Sequence, residues 1–371
     1  MSFVGVCSRL NDLQVAALLR TVRSGLICGA LALTIALSVS ESSRADEGGV
    51  SFWVPGFFGS LVATPQQPGW SLATIYYNTT ISAGGNVALA REFEIRNLPV
   101  NLQAQIYASL HASGNLGFVI PTYVFATPVL GGQASASLVT AYGQTNASLM
   151  GKVSGTVGPI PFGPRSDSIG DTTTGPADLI PQFAVRWNAG LSNYMAYMTG
   201  DIPVGTYSSS NLSNVGIGHG AIDAGGGYTY FNPTTGQEFS GVLGLTYNLT
   251  NPSTQYQNGV DMHFDWGASQ FITKQLQIGL VGYAYKEIGC DSGSGDLVGC
   301  FQSQVVGVGP QVGYVFPIGG MQGYFNLKAY GEFAGADRPT GWNAWLTFVL
   351  SPAAAAPPSS ASMVTKAPPR N

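Results

Sequence analysis

The chain is poor in charge. Only 9% of its 371 residues are Asp, Glu, Lys or Arg, against roughly 25% in a typical soluble domain. That deficit is a poor fit to a cytosolic enzyme. Long apolar runs are also missing beyond Val39, so the low charge does not come from membrane-crossing helices. The net charge of −4 is small and argues against nucleic acid as a partner. Cysteine is scarce. Cys7 and Cys28 fall in the N-terminal stretch, leaving Cys290 and Cys300 on either side of a Gly/Ser-rich segment. In an exported chain such a pair reads as a disulfide. No further soft or imidazole ligand lies beside it, so a metal site is not expected there.

What remains is alternation. Val260 to Phe271 places Val260, Met262, Phe264, Trp266 and Ala268 on one face of an extended strand. Asp261, His263, Asp265, Gly267 and Ser269 lie on the other, because successive strand side chains point to opposite sides. A soluble sandwich would bury the apolar face against a second sheet. A transmembrane barrel would turn it to lipid and keep the ionisable face in its lumen. Low charge, 50 glycines for tight turns and 17 tyrosines for interfacial girdles favour the barrel.

The N-terminus reads as an export signal. Arg20 and Arg23 precede an apolar core from Gly25 to Val39, and Ser43-Arg44-Ala45 sets a cut after Ala45. The expected plan is a signal peptide over 1–45, an irregular lead-in over 46–69, a barrel over 70–350 and a disordered Ala/Pro-rich tail over 351–371. The lead-in carries Phe52, Trp53, Phe57 and Phe58. It is either a plug inside a pore or a packed approach to the first strand.

Alternating segments follow at Leu102–Leu110, Phe118–Phe125, Ala134–Tyr142, Leu179–Asn188, Asn193–Asp201, His219–Phe231, Phe239–Leu249 and Val260–Phe271. Leu276–Tyr285, Val306–Phe316, Phe325–Phe333 and Trp342–Leu350 complete the series. Gln144–Asp178, rich in Gly, Pro, Ser and Thr, reads as a long loop. The segments number about 12, an even count as bacterial outer-membrane barrels require. Leu72–Tyr77 with Val87–Arg96 would add a hairpin and make about 14. Short connections alternate with long ones, as periplasmic turns alternate with outer loops in such barrels. The expected fold is therefore an all-β antiparallel transmembrane barrel of about 12 to 14 strands, with 12 the best count. Its expected place is the outer membrane of a Gram-negative bacterium. Outer-membrane lipid, lipopolysaccharide and the barrel-assembly machinery are its expected partners.

Parity then assigns a lumen: His111, Arg186, Asp201, His219, Asp223, Asp261, His263, Asp265, Lys328 and Glu332. An Arg or Lys facing lipid costs roughly 2–4 kcal/mol at the midplane, so lumenal placement is largely forced. Structural ion pairs and hydrogen bonds filling the barrel explain these residues more readily than a polar transport route does. Asp261-x-His263-x-Asp265 is not read as a metal site, because same-face neighbours on a strand stand roughly 6.5–7 Å apart. Ser109 and His111 share a face, but no orienting acid or nucleophile elbow accompanies them. No catalytic residue, metal or cofactor is expected, and the chain is read as a non-enzyme. Ala224-Gly225-Gly226-Gly227 lacks the lysine of a phosphate loop and sits inside a strand pattern. It reads as a bend or as room for a neighbour.

Several longer runs carry a resemblance. They are Gly200-Asp-Ile-Pro-Val-Gly-Thr-Tyr207, Gly216 to Tyr230, Thr254-Gln-Tyr-Gln-Asn-Gly259 with Asp261–Gln270, Gly309-Pro-Gln-Val-Gly-Tyr314 and Arg338-Pro-Thr-Gly-Trp342. Over about Phe52 to Pro352 the chain resembles the family named for the meta-pathway of phenol degradation. That family is broadly similar to long-chain fatty-acid transporters. The resemblance implies an outer-membrane barrel for passive uptake of small hydrophobic, including aromatic, solutes, and it carries over no catalytic residues. The rival readings are a structural or adhesive barrel without transport, a barrel-embedded hydrolase and a soluble β-sandwich.

Overall fold

The computed structural model describes residues 51–84, 102–157, 160–296, 300 and 302–353. Thirteen strands follow in order: β1 (Gly69–Gly84), β2 (Leu102–Val124), β3 (Gln133–Val157), β4 (Ile160–Pro176), β5 (Ile180–Ala189), β6 (Ser192–Asp201) and β7 (Ala221–Asn232). Then come β8 (Gln237–Asn248), β9 (Asp261–Phe271), β10 (Leu276–Glu287), β11 (Gln304–Ile318), β12 (Met321–Ala336) and β13 (Thr340–Pro352). Each pairs antiparallel with its neighbours, and β1 closes the sheet on β13. Strand β4 pairs only with the outer half of β3, whose inner half pairs with β5. The closed barrel therefore has twelve strands, and β4 with β5 forms one long strand broken around Ala177–Leu179.

The count of twelve arises from a different partition than alternation gives. Leu102–Leu110 and Phe118–Phe125 belong to the single strand β2. Most of Gln144–Asp178 is strand and not loop: Gln144–Val157 is the outer half of β3 and Ile160–Pro176 is β4. Its Gly, Ser and Thr content suits two strands that rise past the ring, where neither lipid nor a packed core demands apolar side chains. The place left vacant in the count is taken by β1, which runs well beyond Leu72–Tyr77. Val87–Arg96, residues 1–50 and residues 354–371 lie outside the described residues.

Outward positions make the lipid face. Ile222, Leu243, Leu245, Met262, Phe264, Leu280, Leu327 and Leu346 are exposed along its middle. Aromatic rings flank them at both ends. Trp70, Tyr123, Tyr194 and Tyr314 lie toward the short turns, and Tyr76, Tyr142, Tyr247 and Trp342 toward the long loops. An apolar band between aromatic girdles is what two lipid–water interfaces select. In water so much contiguous apolar surface would be an aggregation liability.

Candidate functional site

The site is the barrel interior, and the lead-in fills it. Phe52, Trp53, Phe58 and Ala63 are buried there. Trp53, Phe58 and Ala63 pack with Ala184, Met195, Tyr197 and Val242 of the wall. Burying each large apolar side chain contributes about 1.5–3 kcal/mol. The remaining question is how the wall satisfies an irregular backbone, since buried N–H and C=O groups need partners.

Asp265 and Lys328 supply the central grip. The carboxylate of Asp265 accepts from the N–H of Gly56 at 3.0 Å and of Phe58 at 3.2 Å. The Lys328 ammonium donates to the carbonyls of Gly56 and Phe58. One turn of the segment thus has donors and acceptors held by opposite charges, in bonds stronger than neutral ones. Gly56 is required at this turn, because its φ is +87° and a Cβ would press on the Tyr330 ring. Toward the short turns, Leu61 N–H donates to Glu238 and Ser240, both at 2.9 Å. Ala63 N–H donates to Thr229 at 3.1 Å, and Arg186 Nε donates to the Val62 carbonyl at 3.1 Å.

The other members of the Asp261-x-His263-x-Asp265 row have separate duties. His263 stacks on Trp53, with ring centroids 3.8 Å apart and planes 17° apart. Its Nε2 lies 2.8 Å from Asp223 Oδ2, which also accepts from the Thr246 hydroxyl at 2.6 Å. Asp261 accepts from Tyr285 at 2.6 Å and from Asn248 at 2.9 Å. The register explains the stack. Tyr197, Gly225, Gly244 and His263 stand side by side on β6, β7, β8 and β9. With no side chains on the two middle strands, the Tyr197 hydroxyl and His263 Nε2 approach to 3.5 Å. A Cβ on Gly244 would collide with both rings. The glycine run at 225–227 is therefore room for neighbouring side chains.

Of the other residues assigned to the lumen by parity, Asp201 and His219 are buried at the long-loop end. The His219 ring lies 2.9 Å from the Gly220 carbonyl through Nδ1. Glu332 accepts from the Tyr283 hydroxyl and the Gly341 N–H, both at 2.8 Å. His111 departs from the assignment: it faces outward and is exposed. On this part of β2 it is the apolar face that turns inward. There Leu110 is buried with Leu149 of β3, against Leu212 of the loop after β6. This stretch of β2 pairs with the outer half of β3, beyond the upper girdle, so no lipid pulls the apolar face outward. Alternation alone could not show where lipid ends.

Further side chains of the wall complete the interior. Trp345, Tyr77 and Phe118 form an aromatic wall, with Tyr77 and Trp345 centroids 4.4 Å apart. Lys328 Nζ lies 5.0 Å from the Trp345 ring centroid, within cation–π range. Glu238 and Ser240 face the lumen from β8, but nothing in their spacing names the backbone they hold. At the long-loop end Asp178 accepts from Gly205 N–H at 2.6 Å and Ile217 N–H at 2.7 Å. Cys290 and Cys300 are joined in a disulfide. No group of three or more His, Cys, Asp or Glu placed to hold a metal ion occurs among the described residues.

These features define a class: a transmembrane β-barrel of twelve strands whose lumen is occupied by its own N-terminal segment. The chain belongs to the family described as the putative MetA-pathway of phenol degradation, whose model matches residues 97–348. Its fold is similar to the crystal structure of the COG4313 outer membrane channel from Pseudomonas putida F1. The TM-score is 0.54 at 12% identity, covering 80% of this chain and 99% of that one. More distant similarity extends to a FadL homologue from Pseudomonas aeruginosa, with a TM-score of 0.31, 10% identity, and 76% and 89% of the two chains covered. No curated protein matches the chain in sequence.

Proposed function

We propose that the protein is an outer-membrane channel for passive uptake of small hydrophobic solutes, aromatic ones included, and that the Phe52–Phe58 segment is its plug. The observation that carries this is the mode of attachment. Side chains of the wall hold the segment chiefly by its backbone, as they would an inserted peptide. Placing the barrel in the outer membrane of a Gram-negative cell rests on the lipid face, the two girdles and the family. The channel reading draws on the name of the similar structure, and the solute class on the family description and on the aromatic wall at Trp345, Tyr77 and Phe118. Asp223, Asp261, His263, Asp265 and Lys328 are plug holders in this reading, not catalytic groups.

A second reading, a structural barrel without transport, is favoured by the filled lumen. Planar-bilayer recordings separate the two. Deleting residues 51–64 from the mature chain is expected to raise single-channel conductance well above that of the intact protein. A deletion barrel that folds, judged by heat-modifiable gel migration, and stays non-conducting overturns the channel reading. Fractionation adds a check on location: recovery in the soluble fraction would contradict it.

A further inference from the structure

The aromatic cage at the centre of the lumen is built in two halves. The barrel supplies Trp345, Tyr77 and Phe118 from β13, β1 and β2. The plug supplies Trp53, Phe57 and Phe58. Phe57 joins the halves, since it packs against the clusters around Trp345 and around Trp53 alike. Its ring meets Trp345 at 6.3 Å, Trp53 at 6.0 Å and Phe58 at 5.8 Å, each near edge-to-face. That is the arrangement aromatic pairs prefer. Unlike Trp53 and Phe58, Phe57 keeps some accessible surface, so its ring is only partly enclosed by its neighbours.

From this geometry we infer that Phe57 is the internal occupant of a binding site for one aromatic ring. A solute is taken up by competing with the Phe57 side chain for that place. The inference rests on the plug reading above and deepens it. When the turn at Gly56–Phe58 withdraws, the ring position opens against Trp345. Lys328 then loses its carbonyl acceptors on Gly56, Phe57 and Phe58, and Asp265 its two N–H donors. The vacated space presents an aromatic face flanked by a strong donor and a strong acceptor. Its ligand is a flat six-membered aromatic ring with a hydroxyl at its edge, which can accept from the ammonium and donate to the carboxylate. The plug's grip sets the affinity, because a ligand that needs a minor open state binds in proportion to that state's population.

Equilibrium dialysis of the detergent-solubilised protein against labelled phenol tests this, with protein-free micelles as the blank and cyclohexanol as the non-aromatic comparator. Phe57→Ala removes the competitor and is expected to tighten phenol binding about tenfold. Glu238→Ala loosens the plug at Leu61, away from the ring position, and is expected to tighten it by a smaller factor. Cyclohexanol is expected to bind more weakly than phenol to every form. Should Phe57→Ala fail to fold, Phe57→Leu takes its place. Equal phenol affinity in all forms overturns the inference. Tightening by Phe57→Ala without tightening by Glu238→Ala also overturns it, since that describes a new void being filled. Cyclohexanol binding as well as phenol removes the aromatic cage. The channel reading fails on a different result, a folded but non-conducting 51–64 deletion, whatever phenol does.

Discussion

Two buried aspartates use the same chemistry in different company. Asp265 and Asp178 each gather two backbone N–H groups from an irregular segment. Asp265 has Lys328 beside it, gripping the carbonyls of the same turn. Asp178 has no such partner among the described residues, and its electrostatic neighbour is another carboxylate, Asp201. The lead-in turn at Gly56–Phe58 is thus held by a charge-compensated clamp in the middle of the lumen. The loop over residues 203–217 is held by an anionic nest at the rim. A clamp that binds both ends of the peptide dipole can be switched by either partner. A carboxylate with no lysine on the same turn serves as a fixed pin.

The largest effect in this comparison is expected from Asp265→Ala. Hydrogen bonds to a charged group are worth about 1.5–3 kcal/mol each, and this change removes two. It also leaves the Lys328 ammonium buried beside an apolar methyl. The plug should detach while the twelve-stranded ladder persists. The check is protease cleavage within residues 51–64 together with raised conductance, in a barrel that still shifts on heating. An uncut, silent barrel would mean that the aromatic contacts suffice and the clamp is dispensable.

Asp178→Ala comes next. It removes two hydrogen bonds of the same kind but strands no cation. Its effect should stay in the 203–217 loop, seen as faster cleavage there, with conductance unchanged. If Asp178→Ala opened the channel as widely as Asp265→Ala, the distinction between pin and clamp would be lost. The disulfide at Cys290–Cys300 is a third way of holding an outer segment. Its removal in Cys290→Ser/Cys300→Ser should loosen the loop it closes. A disulfide is typically worth 2–4 kcal/mol through the unfolded state, yet the cost here should appear as loop cleavage. A fall in the heat-modification temperature would show that the loop braces the barrel.

The same two residues show what a sequence discloses. Asp265 stands out because β9 alternates cleanly between apolar and ionisable side chains, so face, register and lumenal position follow from period two. What it binds could not be read, since the partner is backbone more than 200 positions away in the chain. Asp178 was invisible. It ends a Gly/Ser/Thr-rich stretch that reads as loop, and the strands there lack the apolar stripe because they rise above the lipid. The lead-in aromatics at 52–58 advertised burial through composition alone. Whether they entered the lumen depended on Lys328, Glu238 and Thr229, three side chains on three other strands. The barrel was legible because lipid enforces a one-dimensional pattern. The site was not, because it is assembled across strands.

The smallest effect should come from His111, and it tests where the lumen stops. His263 and His111 look equivalent in sequence, each flanked by apolar neighbours on an alternating strand. His263 is buried between Trp53 and Asp223. His111 borders a depression of about 510 Å³ with Asn146, Ser148 and Thr172. Exposed positions without buried partners usually tolerate substitution within about 0.5 kcal/mol. His111→Ala should therefore leave thermal stability, plug protection and conductance unchanged. His263→Ala should free Trp53, shifting its fluorescence and exposing residues 51–64 to protease. A conductance change in His111→Ala would mean that the outer half of β2 faces the solute route. That would return the apolar residues Leu110 and Leu149 to the outside, an arrangement that leaves Leu212 and the 203–217 loop nothing apolar to cover.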